Sequence, residues 1–297
     1  MKIAAVVVLY NSKILNSETI TTLLKSLKND IELTIVIWNN GPSTLEKEDI
    51  QQYLERCKEQ NIKSEIYQDC RNISLSMIYN FFIENNPDND YYTIFDQDTL
   101  ISKYFFKNIY DNKNYHVILP LIYTPNDETK IKSPSYPNHK PFHYGEFNLG
   151  DCYAIGSCLS FSSHLVSLIK STGIKYFDER YAFYRVDTEF FNNIKKFNSL
   201  KGICVGKTLH HLSEKDDPQK MHESKKLEVG YDKLLSRIYN RKKNLLKNII
   251  YCINLKIKYK ISFLGFIKLI QCAITKTHPR THLHISNKKS ISRNFKD

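Results

Sequence analysis

Apolar runs of strand length, separated by helical patterns, restrict the first hundred residues to very few architectures. IAAVVVLY (3–10) and LTIVIW (33–38) are continuous apolar runs suited to strands buried on both faces, and SEIYQ (64–68) and YYTIF (91–95) add two more. Ser17 precedes Ile20, Leu23, Leu24 and Leu27 at helical spacing. NNGPS (39–43) turns the chain after the second strand, and a charged helix follows to about residue 60. Leu75, Ile78, Tyr79 and Phe82 mark a third helix. The resulting β-α-β-α-β-α-β order predicts an α/β fold: an open, mostly parallel, Rossmann-like sheet flanked by helices. Sheets of this kind bind ligands at the carboxyl ends of their strands.

Two acids stand at such an end. YYTIF runs out into Asp96-Gln97-Asp98, and residues two apart in an extended chain point the same way, so both carboxylates can face one ligand. Hard divalent cations take oxygen ligands of this type, commonly with phosphate oxygens. Asp88-Asn89-Asp90 has the same spacing but lies in a Pro- and Asn-rich turn, where solvated loop acids are the expectation. Position in the fold, more than the motif, separates the two pairs.

The second half is less regular. HVILPLIY (116–123) reads as a strand, 124–148 as a loop holding Pro125, Pro134, Pro137 and Pro141, and CYAIGSCLSF (152–161) as a strand. SHLVSLIK (163–170) is helical, as is a segment with Phe190, Phe191, Ile194 and Phe197, at whose start Asp187 and Thr188 suit capping positions. GICVG (202–206) is a last short strand before His210 and His211.

The net charge of +12 suggests a nucleic-acid partner until it is located along the chain. Residues 241–297 hold 14 of the 43 Lys and Arg but one of the 31 acids, so the body in front is close to neutral. Seven cysteines, none in a C-x-x-C pair, argue against a zinc knuckle or a secreted disulfide framework, and a reducing cytoplasm is expected. MKIAAVVVLYNS lacks a cleavage site and reads as a first strand rather than a leader.

VVVLYN, IVIWNNG, NISLSMIYN, FDQDT and FDERYAFYRVDTEF, in that order, resemble the inverting family 2 glycosyltransferases of GT-A fold. Within them the likeness is to the bacterial rhamnosyltransferase-like branch that builds O-antigens and capsules, and it runs from about residue 3 to 245. The resemblance implies that Tyr10 and Asn11 turn against the nucleotide base, where the plain alternative is a polar turn. Asn39 and Asn40 match part of an Asp-Asn-x-Ser turn, with Trp38 in place of the aspartate and Gly41 in place of the serine. Asn72 and Asn80 match Asn-x-Gly-x5-Asn in the donor site, with Ser74 where glycine is usual; Asn72 also suits a helix cap. Asp96 and Asp98 match the D-x-D that holds Mg²⁺ or Mn²⁺ against the donor diphosphate, and His210, or its neighbour His211, matches a histidine near that metal.

Asp187, in V-D-T-E, matches the aspartate that takes the proton from the acceptor hydroxyl, against the simpler role of a cap. A helix N-terminus favours the ionised carboxylate and lowers its basicity, so the surrounding cleft must offset that effect. Gly156 and Ser157 match a segment lining the acceptor, and Glu189 matches an acid that orients it, with a solvated first-turn acid as the alternative.

Residues 244–276 mix apolar side chains with lysines, without an uninterrupted run long enough to cross a membrane. This segment reads either as a basic amphipathic helix on an anionic membrane surface or as a satellite core with a solvated basic face, and LKIKYKI also permits a short strand. The expectation is thus a GT-A domain over 1–212 and a basic amphipathic C-terminal extension over 213–297, held peripherally at the cytoplasmic face of the cell membrane. Its expected activity is that of a metal-dependent inverting hexosyltransferase. The donor is dTDP-rhamnose or a UDP-hexose, the acceptor a glycan or lipid-diphosphate-linked saccharide, and nucleic acid is not a partner. The rivals are a sugar nucleotidyltransferase, disfavoured by the lack of an early Gly-rich basic loop, and a non-catalytic nucleotide-sugar or nucleic-acid binder.

Overall fold

The computed structural model describes residues 1–26, 30–137, 140, 142–197, 200–211, 221–285 and 291–292. Leu27, Pro141 and the expected domain boundary at 212/213 lie outside the described residues.

The first half folds as its pattern requires. Strands β1 (Lys2–Leu9), β2 (Glu32–Asn39), β3 (Lys63–Gln68) and β4 (Tyr91–Asp96) alternate with helices α1 (Glu18–Lys25), α2 (Lys47–Glu59) and α3 (Leu75–Asn85). They pair in parallel in the order β3-β2-β1-β4. The sheet continues through β8 (Leu159–Ser162), β6 (Val117–Tyr123), β9 (Lys201–His210) and β5 (Thr99–Leu100). In this second half β8 runs antiparallel to both neighbours, β6 and β9 are parallel, and β7 (Gly145–Asn148) pairs antiparallel with β9. A short β10 (Ile291–Ser292) borders β3.

Alternate residues of β1 divide between two cores, because successive side chains on a strand point to opposite faces. Ile3, Ala5, Val7 and Leu9 meet one layer with Leu23 of α1, Tyr53 of α2 and Phe106 of α4 (Phe105–Asp111). Ala4, Val6 and Val8 meet the other, with Phe82 of α3, Ile169 of α5 (Ser163–Ser171) and Phe190 of α6 (Val186–Ile194). Both faces are dry, which is why β1 reads as a continuous apolar run. Each such side chain contributes roughly 1.5–3 kcal/mol by leaving water.

Three segments differ from their sequence reading. The strand expected over 152–161 is confined to β8, and Cys152 to Cys158 instead crosses the cleft as a loop bridged to Ser135 at Tyr153. The short strand expected at 202–206 is ten residues long and carries His210 at its end; the polar, half-exposed residues of its second half hid it. The stretch read as a loop contains β7, whose residues are mostly exposed.

The C-terminal segment forms α7 (Glu223–Asn240), α8 (Leu245–Tyr259) and α9 (Phe263–Thr275), so LKIKYKI is the last turn of α8 and its left-handed cap at Lys260, not a strand. Leu234 of α7, Leu255 of α8 and Leu269 of α9 join the same core layer as α3 and α6. Among the described residues no helix is long and apolar enough to cross a membrane. All seven cysteines are free, and six are buried.

Candidate functional site

The Asp96-Gln97-Asp98 turn is held from below by the start of α1. Thr19 donates to Asp96 O at 2.5 Å and accepts from Thr99 N at 2.9 Å, while Ser17 donates to Gln97 O at 2.7 Å. β5 then pairs Thr99 with His210, which sets the imidazole between the two acids. His210 Nε2 lies 3.7 Å from Asp96 Oδ2, and its Nδ1 lies 3.6 Å from Asp98 Oδ1. One potential ligand atom from each residue falls within 4.8 Å of the others.

The imidazole is buried and its ring is fixed by a hydrogen bond of 2.9 Å between Nδ1 and Thr99 Oγ1. Thr99 also bonds Ser157 Oγ at 2.6 Å, and Ser157 Oγ accepts from Asp96 N at 3.2 Å. Such a bond on the far nitrogen is the usual way to orient a metal-binding imidazole, leaving Nε2 for a cation. Burial, with Asp98 and Asp187 adding to it and His210 opposing, pushes the Asp96 carboxyl up to about 6. Two carboxylates that repel one another and an oriented imidazole thus lie within reach of one point, a donor set that fits a divalent cation. His211, by contrast, is exposed and faces Glu18 at 3.1 Å, so of the two histidines it is His210 that joins the acids.

Asp187 sits in the first turn of α6, whose cap position is Arg185 with φ of 70°, so Asp187 is not the cap. Its Oδ1 accepts from Thr188 N at 2.6 Å, and the backbone N–H of Gly156 lies close enough to favour the ionised carboxylate. Burial nevertheless raises its pKa, so the cleft outweighs both the helix terminus and those bonds. Its charge is felt by Asp96 and by buried Tyr79, which places Asp187 and the Asp96-Asp98 pair around one cleft. The 156–157 loop lies between them: the Gly156 N–H is beside Asp187, and Ser157 Oγ accepts from Asp96 N.

Glu189 is buried rather than solvated. Its Oε2 accepts from Asn192 at 3.1 Å, Arg185 Nη1 lies 3.8 Å from Oε1, and Oε1 has no hydrogen-bond partner among the described residues.

The residues assigned to the nucleotide form a second group across β1 and β2. Tyr10 is exposed and its N–H donates to Gln97 Oε1 at 2.7 Å, and Asn11, with φ of 52°, donates from N to Gly41 O at 2.7 Å. Asn39 is used up in its own turn, donating to Ser43 O at 2.8 Å and accepting from Gly41 N at 3.1 Å. Asn40 donates to Asn72 Oδ1 at 3.2 Å and to Ile73 O at 3.0 Å, leaving its own Oδ1 without a partner among the described residues. Trp38, in the place of an acid, lies in the core between Tyr67 and Phe81.

Asn72 has φ of 58° and is not a helix cap; Ser74 holds that position. Its Oδ1 accepts from Arg280 Nη1 at 2.6 Å. Asn80 stands apart from the cleft group, exchanging bonds of 2.9 Å with the backbone of Phe177 and donating to Glu179. The sequence reading missed Thr19, Thr99 and Arg280. The two threonines flank motifs it used, and that adjacency was the available signal; nothing local marks Arg280.

No protein-family model matches the sequence, and a comparison with curated proteins finds no match. Solved structures do match, and they are glycosyltransferases of GT-A type. TarS of S. aureus superposes with a TM-score of 0.53 at 15% identity, covering 95% of this chain and 50% of its own. This chain therefore spans half the length of that protein. TarS 1-349 in complex with UDP-GlcNAc gives 0.53 at 14% identity, over 95% of this chain and 83% of that one. GalNAc-T7 with UDP, GalNAc and Mn²⁺ gives 0.52 at 12% identity, over 94% and 58%. At such identities the likeness speaks for the fold, which is GT-A.

Proposed function

We propose that this chain is a metal-dependent inverting glycosyltransferase that moves a sugar from a nucleoside diphosphate donor to an acceptor hydroxyl. One observation carries the reading. Two carboxylates and an oriented imidazole meet at the carboxyl end of a parallel sheet, and a third, half-buried carboxylate of raised pKa, Asp187, shares their cleft. Structural neighbours crystallised with UDP-GlcNAc, and with UDP and Mn²⁺, support the same assignment.

Asp96, Asp98 and His210 would hold the cation, which supplies positive charge to the diphosphate as it leaves. A nitrogen donor beside two carboxylates favours Mn²⁺ over Mg²⁺, which prefers oxygen throughout. Asp187 takes the proton from the acceptor hydroxyl as it attacks the anomeric carbon. Its raised pKa gives it more basicity than an exposed aspartate, while Gly156 and Thr188 hold it in place. The resemblance to inverting family 2 enzymes implies that attack is a single displacement in which the anomeric configuration inverts. Glu189, whose Oε1 makes no hydrogen bond among the described residues and lies 3.8 Å from Arg185, would orient the acceptor, and the Gly156–Ser157 loop would form the wall between the acceptor and the metal acids. Tyr10, Asn11, Asn40 and Asn72 border the nucleotide end.

The sequence resemblance supports a family 2 enzyme of surface-polysaccharide synthesis, with dTDP-rhamnose or a UDP-hexose as donor and a glycan or lipid-diphosphate-linked saccharide as acceptor. The test is nucleotide release from a panel of dTDP-, UDP- and GDP-sugars with Mn²⁺, Mg²⁺ or EDTA. Metal-dependent release from one donor class is the expected result. Release that is indifferent to EDTA would overturn the metal role, and the absence of both release and nucleotide binding would overturn the assignment.

A further inference from the structure

Nine of the fourteen exposed large apolar side chains among the described residues belong to α8 and α9. On α8, Asn248, Cys252, Leu255 and Tyr259 are buried against the domain at helical spacing. Leu246, Ile250, Ile253 and Ile257 repeat the same spacing two residues earlier or later, which places them on the opposite face, in solvent. Helix α9 repeats the design: Leu269 and Cys272 face inward, while Phe263, Leu264, Ile267 and Ile274 are exposed. A helix packed on a soluble domain has a polar outer face, and these two have apolar outer faces.

The charges carried by the two helices themselves have one sign, and the acid beside them, Glu223 of α7, is engaged by Ser262 N at the start of α9. From Lys233 to Lys296 the sequence contains no acid, and Lys247, Lys258, Lys260, Lys268 and Lys276 are exposed on or beside the two helices. We propose that the outer face of α8 and α9 docks on a membrane surface that carries anionic lipid. The apolar stripes enter the headgroup boundary, and the lysines extend along their stems to reach lipid phosphates. A second copy of the chain is a poor occupant, because a two-fold contact sets this face against itself and brings lysine to lysine with no acid to pair. Nucleic acid would leave the Ile and Leu stripes in water against a phosphate backbone.

The docked helices are tied to the candidate site by the residues that follow α9. His278 donates from N to Arg180 O at 3.1 Å, Arg280 reaches Asn72, and Arg71 Nη2 donates to His284 O at 3.0 Å. A domain held at the surface in this way keeps its donor-side loop at a set height above the lipid.

The inference does not depend on the transfer reaction and is tested without it. The full chain is floated with vesicles of phosphatidylcholine alone and of phosphatidylcholine mixed with phosphatidylglycerol. Binding is expected to the mixed vesicles and to weaken with salt. Replacing Lys247, Lys258 and Lys268 by Gln should weaken it about a hundredfold at low salt, from about fivefold per lysine. Leu246→Ser, Ile257→Ser, Phe263→Ser and Leu264→Ser together should abolish it with unchanged circular dichroism, since each side chain is at least 67% exposed. Absent binding, equal binding to neutral vesicles, full binding by either variant, or a dimer by light scattering that the serine variant dissociates would each overturn the proposal.

Discussion

Replacing Asp187 by Asn separates a catalytic role from a structural one, because the two predict opposite changes in stability. The substitution keeps the shape and an oxygen for the Thr188 N–H, and removes the charge. Loss of a positioned general base costs about 10²–10⁴-fold in rate, or about 3–5 kcal/mol in the barrier. Stability should move the other way. Burial is the largest influence on this carboxyl and raises its folded pKa above the unfolded value, so ionising it works against folding. That cost is absent below the unfolded pKa, grows as pH rises, and is constant above the folded pKa. At pH 7 the Asn variant escapes it and should melt at the same temperature as the parent or higher. The assays are nucleotide release with the active donor and thermal unfolding. Activity within tenfold of the parent would place the base elsewhere, and a melting point several degrees lower would make Asp187 a tie for the 156–157 loop.

Three further outcomes follow from the same geometry. Thr99→Val removes the hydroxyl that bonds both His210 Nδ1 and Ser157, and should weaken Mn²⁺ binding by about 10–100-fold in a calorimetric titration. Mn²⁺ affinity should fall by about tenfold per pH unit once pH drops below about 6, as protons occupy Asp96; in the Asp187→Asn variant the fall should begin at lower pH, because one of the charges raising Asp96 is gone. Gly41→Ala should destabilise the chain by about 2–4 kcal/mol in urea unfolding. Gly41 has φ of +98°, and an added Cβ would lie 2.6 Å from the Cys70 carbonyl oxygen, a backbone atom that cannot swing aside.

The legible parts of the chain are those where local pattern and burial coincide. β1, β2 and β4 are buried on both faces, so their apolar runs are nearly unbroken, and Asp96 and Asp98 stand out where β4 stops. Asp187 and His210 were found through family resemblance, since nothing near either residue in sequence says that it faces Asp96. The second half was harder for a physical reason. β9 is flanked by small partners, β5 and β7, and its outer residues are half-exposed, so only its central apolar part is visible as a strand. Cys152, Ala154 and Cys158 are apolar because they pack into the cores, and the segment pairs only at Tyr153, so it reads as a strand without being one. The contact of Arg280 with Asn72 spans 208 residues, and no periodicity encodes a meeting of that range.

The central claim is that Asp96, Asp98 and His210 hold a divalent cation that joins the donor diphosphate to the protein. The most direct test is calorimetric titration of the nucleoside diphosphate of the active donor, with Mn²⁺ and with EDTA, into the parent and the Asp98→Ala variant. Binding that requires Mn²⁺ and is lost in the variant, with the melting temperature kept, is the result this account predicts. Equal binding with EDTA, or by the variant, would contradict it.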